Sequence, residues 1–421
     1  MLDIQYIREN AEQVKQAAKD KGFDETVVDQ LLAADTKRRE MIGVVESLRA
    51  ERNKLNEELK TSRTPELIEQ SKSLKAKLEA IEPDLKLVEE ACTSLMLRIP
   101  NPSAADVKVG KEEDNKTILT VGEIKKFSFP VRDHVDLGML TGTIDITNGT
   151  KVAQSGFYYV KGGGAMLEFA LIQYALRKLA VKGFIPVITP NVASEKNVIG
   201  CGFQARSDKE RQIYHIEGED LDLIATAEIT LVGQHSDTVF SPSELPKKYV
   251  GFSSCYRYER GSYGKDVRGI LRVHEFRKVE MVVFCLPEES DAIHEQLLEI
   301  EKEIWKELEI PYQVVKMASG DLGNAASRKY DIEAWMPSQD RFREVTSTSN
   351  TTDFQARRLG IKVNRNGKTE FVHTLNGTVF ALGRAMIAIY ENYQNEDGSI
   401  TVPKALRELM GIETIPVQLS K

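Results

Sequence analysis

Two stretches near the N-terminus repeat apolar residues every seven positions, and this pattern leaves the segment few ways to fold. In the first, Met41, Val45, Leu48, Leu55 and Leu59 keep the alternating four-three spacing of a helical seam, with Arg52 in its one polar slot. In the second, Leu67, Leu74, Leu78, Ile81, Leu85, Val88, Cys92 and Leu95 do the same, with Ser71 as the exception. Between them stands Ser-Arg-Thr-Pro, Ser62 to Pro65. Proline cannot continue a preceding helix and biases Thr64 away from helical geometry, so the chain is expected to reverse there. An antiparallel two-helix coiled coil follows. With helices of roughly 35 residues it makes an arm about 50 Å long. By itself such a seam is more often a packing or dimerisation element, and the basic residues interspersed with acids along it (Arg38, Arg49 and Lys75 among them) suit a solvated face.

After Ile99-Pro100-Asn101-Pro102 the heptads stop and mixed strand and helix signals begin, which places a domain boundary near residue 105. The expected organisation is an α+β protein, with a helical domain over 1–105 and a larger domain over 106–421. In the larger domain the runs Lys248 to Cys255 and Val279 to Leu286 read as strands, and Ala165 to Lys182 as a helix closed by Gly183. No apolar run approaches the roughly 20 residues of a membrane span. The start, MLDIQYIRENAEQVKQ, lacks the basic and cleavage segments of a secretion signal, so a cytoplasmic location without a membrane partner is expected. Cys92, Cys201, Cys255 and Cys285 stand too far apart for a zinc knuckle or disulfide framework. A net charge of -7 argues against nonspecific coating of nucleic acid, though not against a local RNA-binding surface.

Three segments carry the chemistry. Cys255-Tyr-Arg-Tyr-Glu-Arg-Gly leads through a glycine-rich loop to Arg268-Gly-Ile-Leu-Arg-Val-His-Glu-Phe-Arg-Lys-Val-Glu280, which suits a hairpin closing over a ligand, with Gly261, Gly264 and Gly269 permitting the bends. Strand alternation places Arg257 and Glu259 on one face. The arginine can fork onto a phosphate or carboxylate, and the glutamate can accept from an amine, although such a pair on a strand is more often a surface ion pair. The second segment, Asn376-Gly-Thr-Val-Phe-Ala-Leu-Gly-Arg384, leads into an amphipathic run and puts a guanidinium at a helix start. The third is Gly183-Phe-Ile-Pro-Val-Ile-Thr-Pro190, a strand after a long helix. Neither G-x-G-x-x-G after a strand nor G-x-x-x-x-G-K-[ST] occurs, so a nucleotide would have to be held by side chains.

In their order and spacing these segments resemble motifs 2, 3 and 1 of the class II aminoacyl-tRNA synthetases. Thr226-Ala-Glu228, Phe276-Arg-Lys-Val-Glu280, Glu344-Val-Thr-Ser347, Asp353-Phe-Gln-Ala-Arg-Arg358 and Glu391-Asn-Tyr-Gln394 are similar to the seryl enzymes within that class. The arm resembles that family's tRNA-binding coiled coil, so the likeness covers essentially the whole chain. It implies a catalytic domain built on an antiparallel sheet with flanking helices, activation of L-serine by ATP, and transfer to tRNA(Ser), with selenocysteine tRNA left open as a second acceptor. It also implies a homodimer. The catalytic residues it implies are Arg257, Glu259 and Arg384. Serine would meet Thr226, Ala227, Glu228, Arg257, Glu280, Asn376 and Thr378, with the hydroxyl read by Thr378 as oriented by Asn376. ATP would meet Arg257, Tyr258, Glu259, Val273, Phe276, Glu344, Val345, Thr346, Ser347 and Arg384, and Mg2+ would rest on Glu344 and Ser347. Two other readings fit parts of the pattern. A ligase loading an amino acid onto a carrier-protein thiol shares the core but lacks a long arm, and a catalytically dead paralogue would not be expected to retain Arg257, Glu259, Glu280, Glu344 and Arg384.

Overall fold

The structure, a computed structural model, describes residues 2–203, 212–259 and 268–418. Gly261 and Gly264 therefore lie outside the described residues. Two compact units are present, Met1–Pro102 and Ser103–Lys421.

In the first unit two long helices, Thr26–Thr61 and Pro65–Arg98, pack along each other. The reversal forms where the proline demands it. Thr64 caps the second helix, its hydroxyl accepting from Leu67 N–H at 3.3 Å, and Pro65 takes the first helical position, where a missing N–H costs nothing. Val45, Leu55, Leu74, Leu78 and Cys92 are buried, and the remaining seam positions, Arg52 and Ser71 included, are half-buried. The second helix runs through Pro83, whose exposed position leaves the freed carbonyl open to water. At the base, the short helices Ile4–Glu9 and Ala11–Asp20 close a small core in which Ile7, Val14, Val28, Leu31 and Ile99 are buried.

The second unit is built on an eight-stranded sheet. Its strands, in chain order, are β1 (Lys116–Val121), β2 (Ile185–Ile188), β3 (Lys247–Tyr256), β4 (Glu275–Cys285), β5 (Tyr312–Lys316), β6 (Arg328–Met336), β7 (Arg341–Asn350) and β8 (His373–Ala381). They lie side by side as β1-β5-β6-β7-β8-β4-β3-β2. Every pairing is antiparallel except that of β2 with β3. One face is covered by the helices Gly162–Val181, Ser290–Glu307 and Leu382–Asn392, and Trp305, Phe380 and Tyr390 are fully buried in that layer. The first of these helices ends as expected, with Gly183 at φ +83°, a conformation that costs a side chain but not glycine. Strand β2 is the motif-like strand after it. It sits at the sheet edge with Ile185 and Ile188 exposed.

Candidate active site

The central strands β3, β4, β8 and β7 build the floor of a cleft of about 570 Å³. Strand alternation sends Phe276, Lys278 and Glu280 of β4 to the cleft side, while Val279, Met281 and Val283 go into the core beneath. Glu280 pairs across the sheet with Gly251 on one side and Thr378 on the other. A side chain at Gly251 would collide with Leu231 of the helix Ala227–Gly233, so glycine is what lets that helix lie close and bring Thr226 and Glu228 to the rim. Thr226 caps this helix, its hydroxyl accepting from Glu228 N–H.

Glu280 is 1% exposed and pairs with Lys278 at 2.6 Å, while the Thr378 hydroxyl donates to the same carboxylate oxygen at 2.8 Å. The sequence reading had Asn376 orient Thr378. Instead the Asn376 amide donates to Glu228 at 2.9 Å, alongside Gln355 at 2.6 Å, because the two side chains meet different carboxylates. Burial, and next the charge of Glu280, push the Glu228 carboxyl up to about 7. Glu301, on the helix under the sheet, is also buried, and burial drives its carboxyl well above the ordinary range.

Glu344 and Ser347 are three apart, and in a regular strand that spacing would put them on opposite faces. The β6–β7 ladder slips between Ile332 and Glu333 so that Val345 is an extra residue on β7. The bulge reverses the alternation and turns both residues to the cleft. Arg384, in the first turn of the helix Leu382–Asn392, reaches the Glu344 carboxylate at 3.2 Å and its carbonyl at 2.9 Å. Burial works to raise the Glu344 carboxyl, but Arg384, with Lys329 and Arg257 nearby, holds it down at about 2.

Arg257 lies over the Phe276 ring, 5.2 Å from its centroid, and reaches the Ala225 carbonyl at 3.4 Å. The regular strand ends at Tyr256. Glu259 takes a left-handed φ of +47° and pairs with Arg272 at 3.2 Å, so the two residues share the cleft although simple alternation does not extend to them.

Of the residues expected here, Thr226, Glu228, Arg257, Glu259, Val273, Phe276, Glu280, Glu344, Val345, Thr346, Ser347, Asn376, Thr378 and Arg384 border the cleft. Two of these turn their side chains away. Val345 packs into the core, and the Thr346 hydroxyl donates to Glu301 below the sheet. Ala227 and Tyr258 do not line the cleft. Ala227 is wholly buried, and Tyr258 stacks on Tyr214 with ring centroids 3.8 Å apart. The sequence reading did not single out Lys278, Arg272 or Lys329, which also line it. Lys278 was within reach of that reading, since it stands two positions before Glu280 on one strand.

Residues 212–393 match the family model described as tRNA synthetase class II core domain (G, H, P, S and T), which sets the class: an aminoacyl-tRNA synthetase of class II. Residues 1–103 match the model of the seryl-tRNA synthetase N-terminal domain. A serine–tRNA ligase of Dictyoglomus turgidum is 46% identical and one of Rubrobacter xylanophilus 45% identical, each comparison covering 99% of both chains. The crystal structure of seryl-tRNA synthetase from Pyrococcus horikoshii complexed with ATP superposes with a TM-score of 0.90 at 40% identity over the full length of both chains. The chain belongs to the seryl-tRNA synthetase family, and it is an ATP-using ligase that couples serine to tRNA.

Proposed function

We propose that the cleft holds serine over Glu280 and ATP along the Arg257–Arg384 side, and that these residues carry out adenylation by position and charge alone. The observation that carries this reading is that Arg257, Glu280, Glu344 and Arg384, drawn from three sequence segments, open onto one cavity. In the first step a serine carboxylate oxygen attacks the α-phosphorus of ATP, and the bond to the pyrophosphate oxygen breaks. Arg257 holds the carboxylate and α-phosphate in line, and Arg384 meets the γ-phosphate. Phe276 offers its ring to the adenine while Glu259 accepts from the adenine amino group. Thr226 and Glu280 accept from the serine ammonium. Thr378 reads the hydroxyl, a partner that alanine would leave unpaired.

Glu344 and Ser347 are oxygen donors on one face and fit a hard cation, so they would hold Mg2+. When bound, the ion supplies charge neutralisation on the phosphates. Arg384 and Glu344 neutralise each other, and ATP bound between them would draw on both.

The arm supplies tRNA binding, which suits its length and its basic residues. The exposed apolar side chains Met166, Phe169, Ile185 and Ile188, on a helix and an adjoining sheet-edge strand, favour a homodimer formed through this face. No described helix is long and apolar enough to cross a membrane, and we place the enzyme in the cytoplasm, where tRNA charging occurs. The test is replacement of Arg257 or Arg384 by Ala. Each should lower serine-dependent ATP–pyrophosphate exchange by roughly 10² or more. Near-normal exchange in either variant would overturn the assignment of that arginine.

A further inference from the structure

The segment Glu391-Asn-Tyr-Gln394 has no place in the cleft, yet the side chains of Glu391 and Gln394 are engaged at every polar atom. Gln394 grips the backbone of Arg132 from both sides, accepting from its N–H at 2.9 Å and donating to its carbonyl at 3.1 Å. Glu391, with no exposed surface, receives Ser338 N–H on one oxygen at 2.9 Å, and on the other both His134 N–H and His134 Nδ1 at 3.3 Å. The ring of His134, 3% exposed, turns its far nitrogen to the returning arm of the motif 2 hairpin: Nε2 accepts from Ile270 N–H at 3.2 Å.

A backbone N–H can only donate. Nε2 is therefore bare, and the ring proton sits on Nδ1, facing Glu391. Gly269 makes the approach feasible, since a Cβ there would stand 1.9 Å from Nε2. Arg268 reinforces the join by pairing with Asp133 at 2.7 Å and Asp136 at 3.4 Å. The Ile270 carbonyl in turn packs against Gly383, within 3.3 Å of where a Cβ would be, and Gly383 precedes Arg384. A closed circuit results, from Glu391 through His134 and Ile270 to Gly383, on the helix that carries both Glu391 and Arg384.

We propose that His134 is a positioning residue for adenylation: neutral and held by Glu391, it fixes Ile270 and with it the cleft wall Ile270 to Val273 against the turn that presents Arg384. It touches no substrate. The wall it fixes borders the nucleotide side, whereas Thr226 is set by the helix Ala227–Gly233 and Glu280 and Thr378 by β4 and β8, so its loss should act on ATP and not on serine. This rests on the reading of the cleft given above.

The experiment uses the full chain with two substitutions that part the two bonds. His134→Asn retains an amide near Glu391 but is too short for Ile270, whereas His134→Gln places an amide carbonyl near the Nε2 position. In serine-dependent pyrophosphate exchange, His134→Asn should lower kcat/KM for ATP about tenfold and leave KM for serine within about twofold, and His134→Gln should recover most of the loss. Normal ATP parameters in His134→Asn, equal losses in the two variants, or a loss carried by serine would overturn the proposal. If neither variant folds, hydrogen exchange of the unaltered protein decides. The Ile270 amide should be protected, and exchange as fast as that of a free loop would overturn the proposal. Absence of serine-dependent exchange in the unaltered protein would instead refute the site assignment, so the two failures are distinct.

Discussion

Lys278→Met tests the electrostatics of the serine end of the cleft. Glu280 and Lys278 are 1% and 6% exposed and lie 2.6 Å apart, with Glu228 and Glu301 as further buried carboxylates whose protonation Glu280 promotes. Lysine 278 is thus the buried cation that several acids share. Taking one partner from a buried pair leaves an uncompensated charge and costs about 3–5 kcal/mol. Thr378 still donates to Glu280 in the variant, so the expected destabilisation lies at the lower end, about 3 kcal/mol at pH 7. Glu228, already pushed up to about 7 by burial and the charge of Glu280, loses the Lys278 charge that holds it down; a carboxyl whose folded pKa is raised withdraws stability as pH rises past its unfolded value, so the deficit should shrink toward pH 5. Urea unfolding followed by tryptophan fluorescence reads this in the catalytic unit, because Trp305 and Trp335 both lie there. Lys278 also fixes the Glu280 carboxylate beside Thr378, so KM for serine should change more than KM for ATP. A loss under about 1 kcal/mol at pH 7, or one that is the same at pH 5, would refute the argument.

Thr378→Val keeps the shape of the side chain but removes the donor to Glu280, and should lower the ratio of serine to alanine use by roughly tenfold in pyrophosphate exchange; an unchanged ratio would mean that Thr378 does not read the hydroxyl. Deleting residues 36–92 and closing the gap with a short Gly/Ser linker should leave serine-dependent exchange within about twofold, since the seam is satisfied within the two helices, while charging of tRNA(Ser) collapses and the intact protein's tRNA affinity falls with salt. Normal charging by the truncated enzyme would make the arm mere architecture.

The arm was legible in the sequence because a heptad seam and a proline reversal are local signals, and Leu55, Leu74 and Leu78 are buried as that seam requires. The cleft was legible through its motifs but less so through spacing. Glu344 and Ser347 meet only because Val345 bulges, and a bulge depends on the partner strand β6. Arg257 and Glu259 were placed together by an alternation that the chain abandons at Tyr256. Thr378 took Glu280 rather than Asn376 as its partner because the β4–β8 register sets Thr378 beside Glu280, and register cannot be read from one strand alone. His134 left no signal, since its partners Ile270 and Glu391 are brought to it only by the tertiary fold.

The cleft is proposed to activate serine with ATP. ATP–pyrophosphate exchange by the purified full chain, run with Mg2+ and each of the twenty amino acids in turn, tests it most directly. Exchange should appear with L-serine, vanish when Mg2+ is chelated, and stay at background with the others; exchange with a different amino acid and none with serine would contradict it.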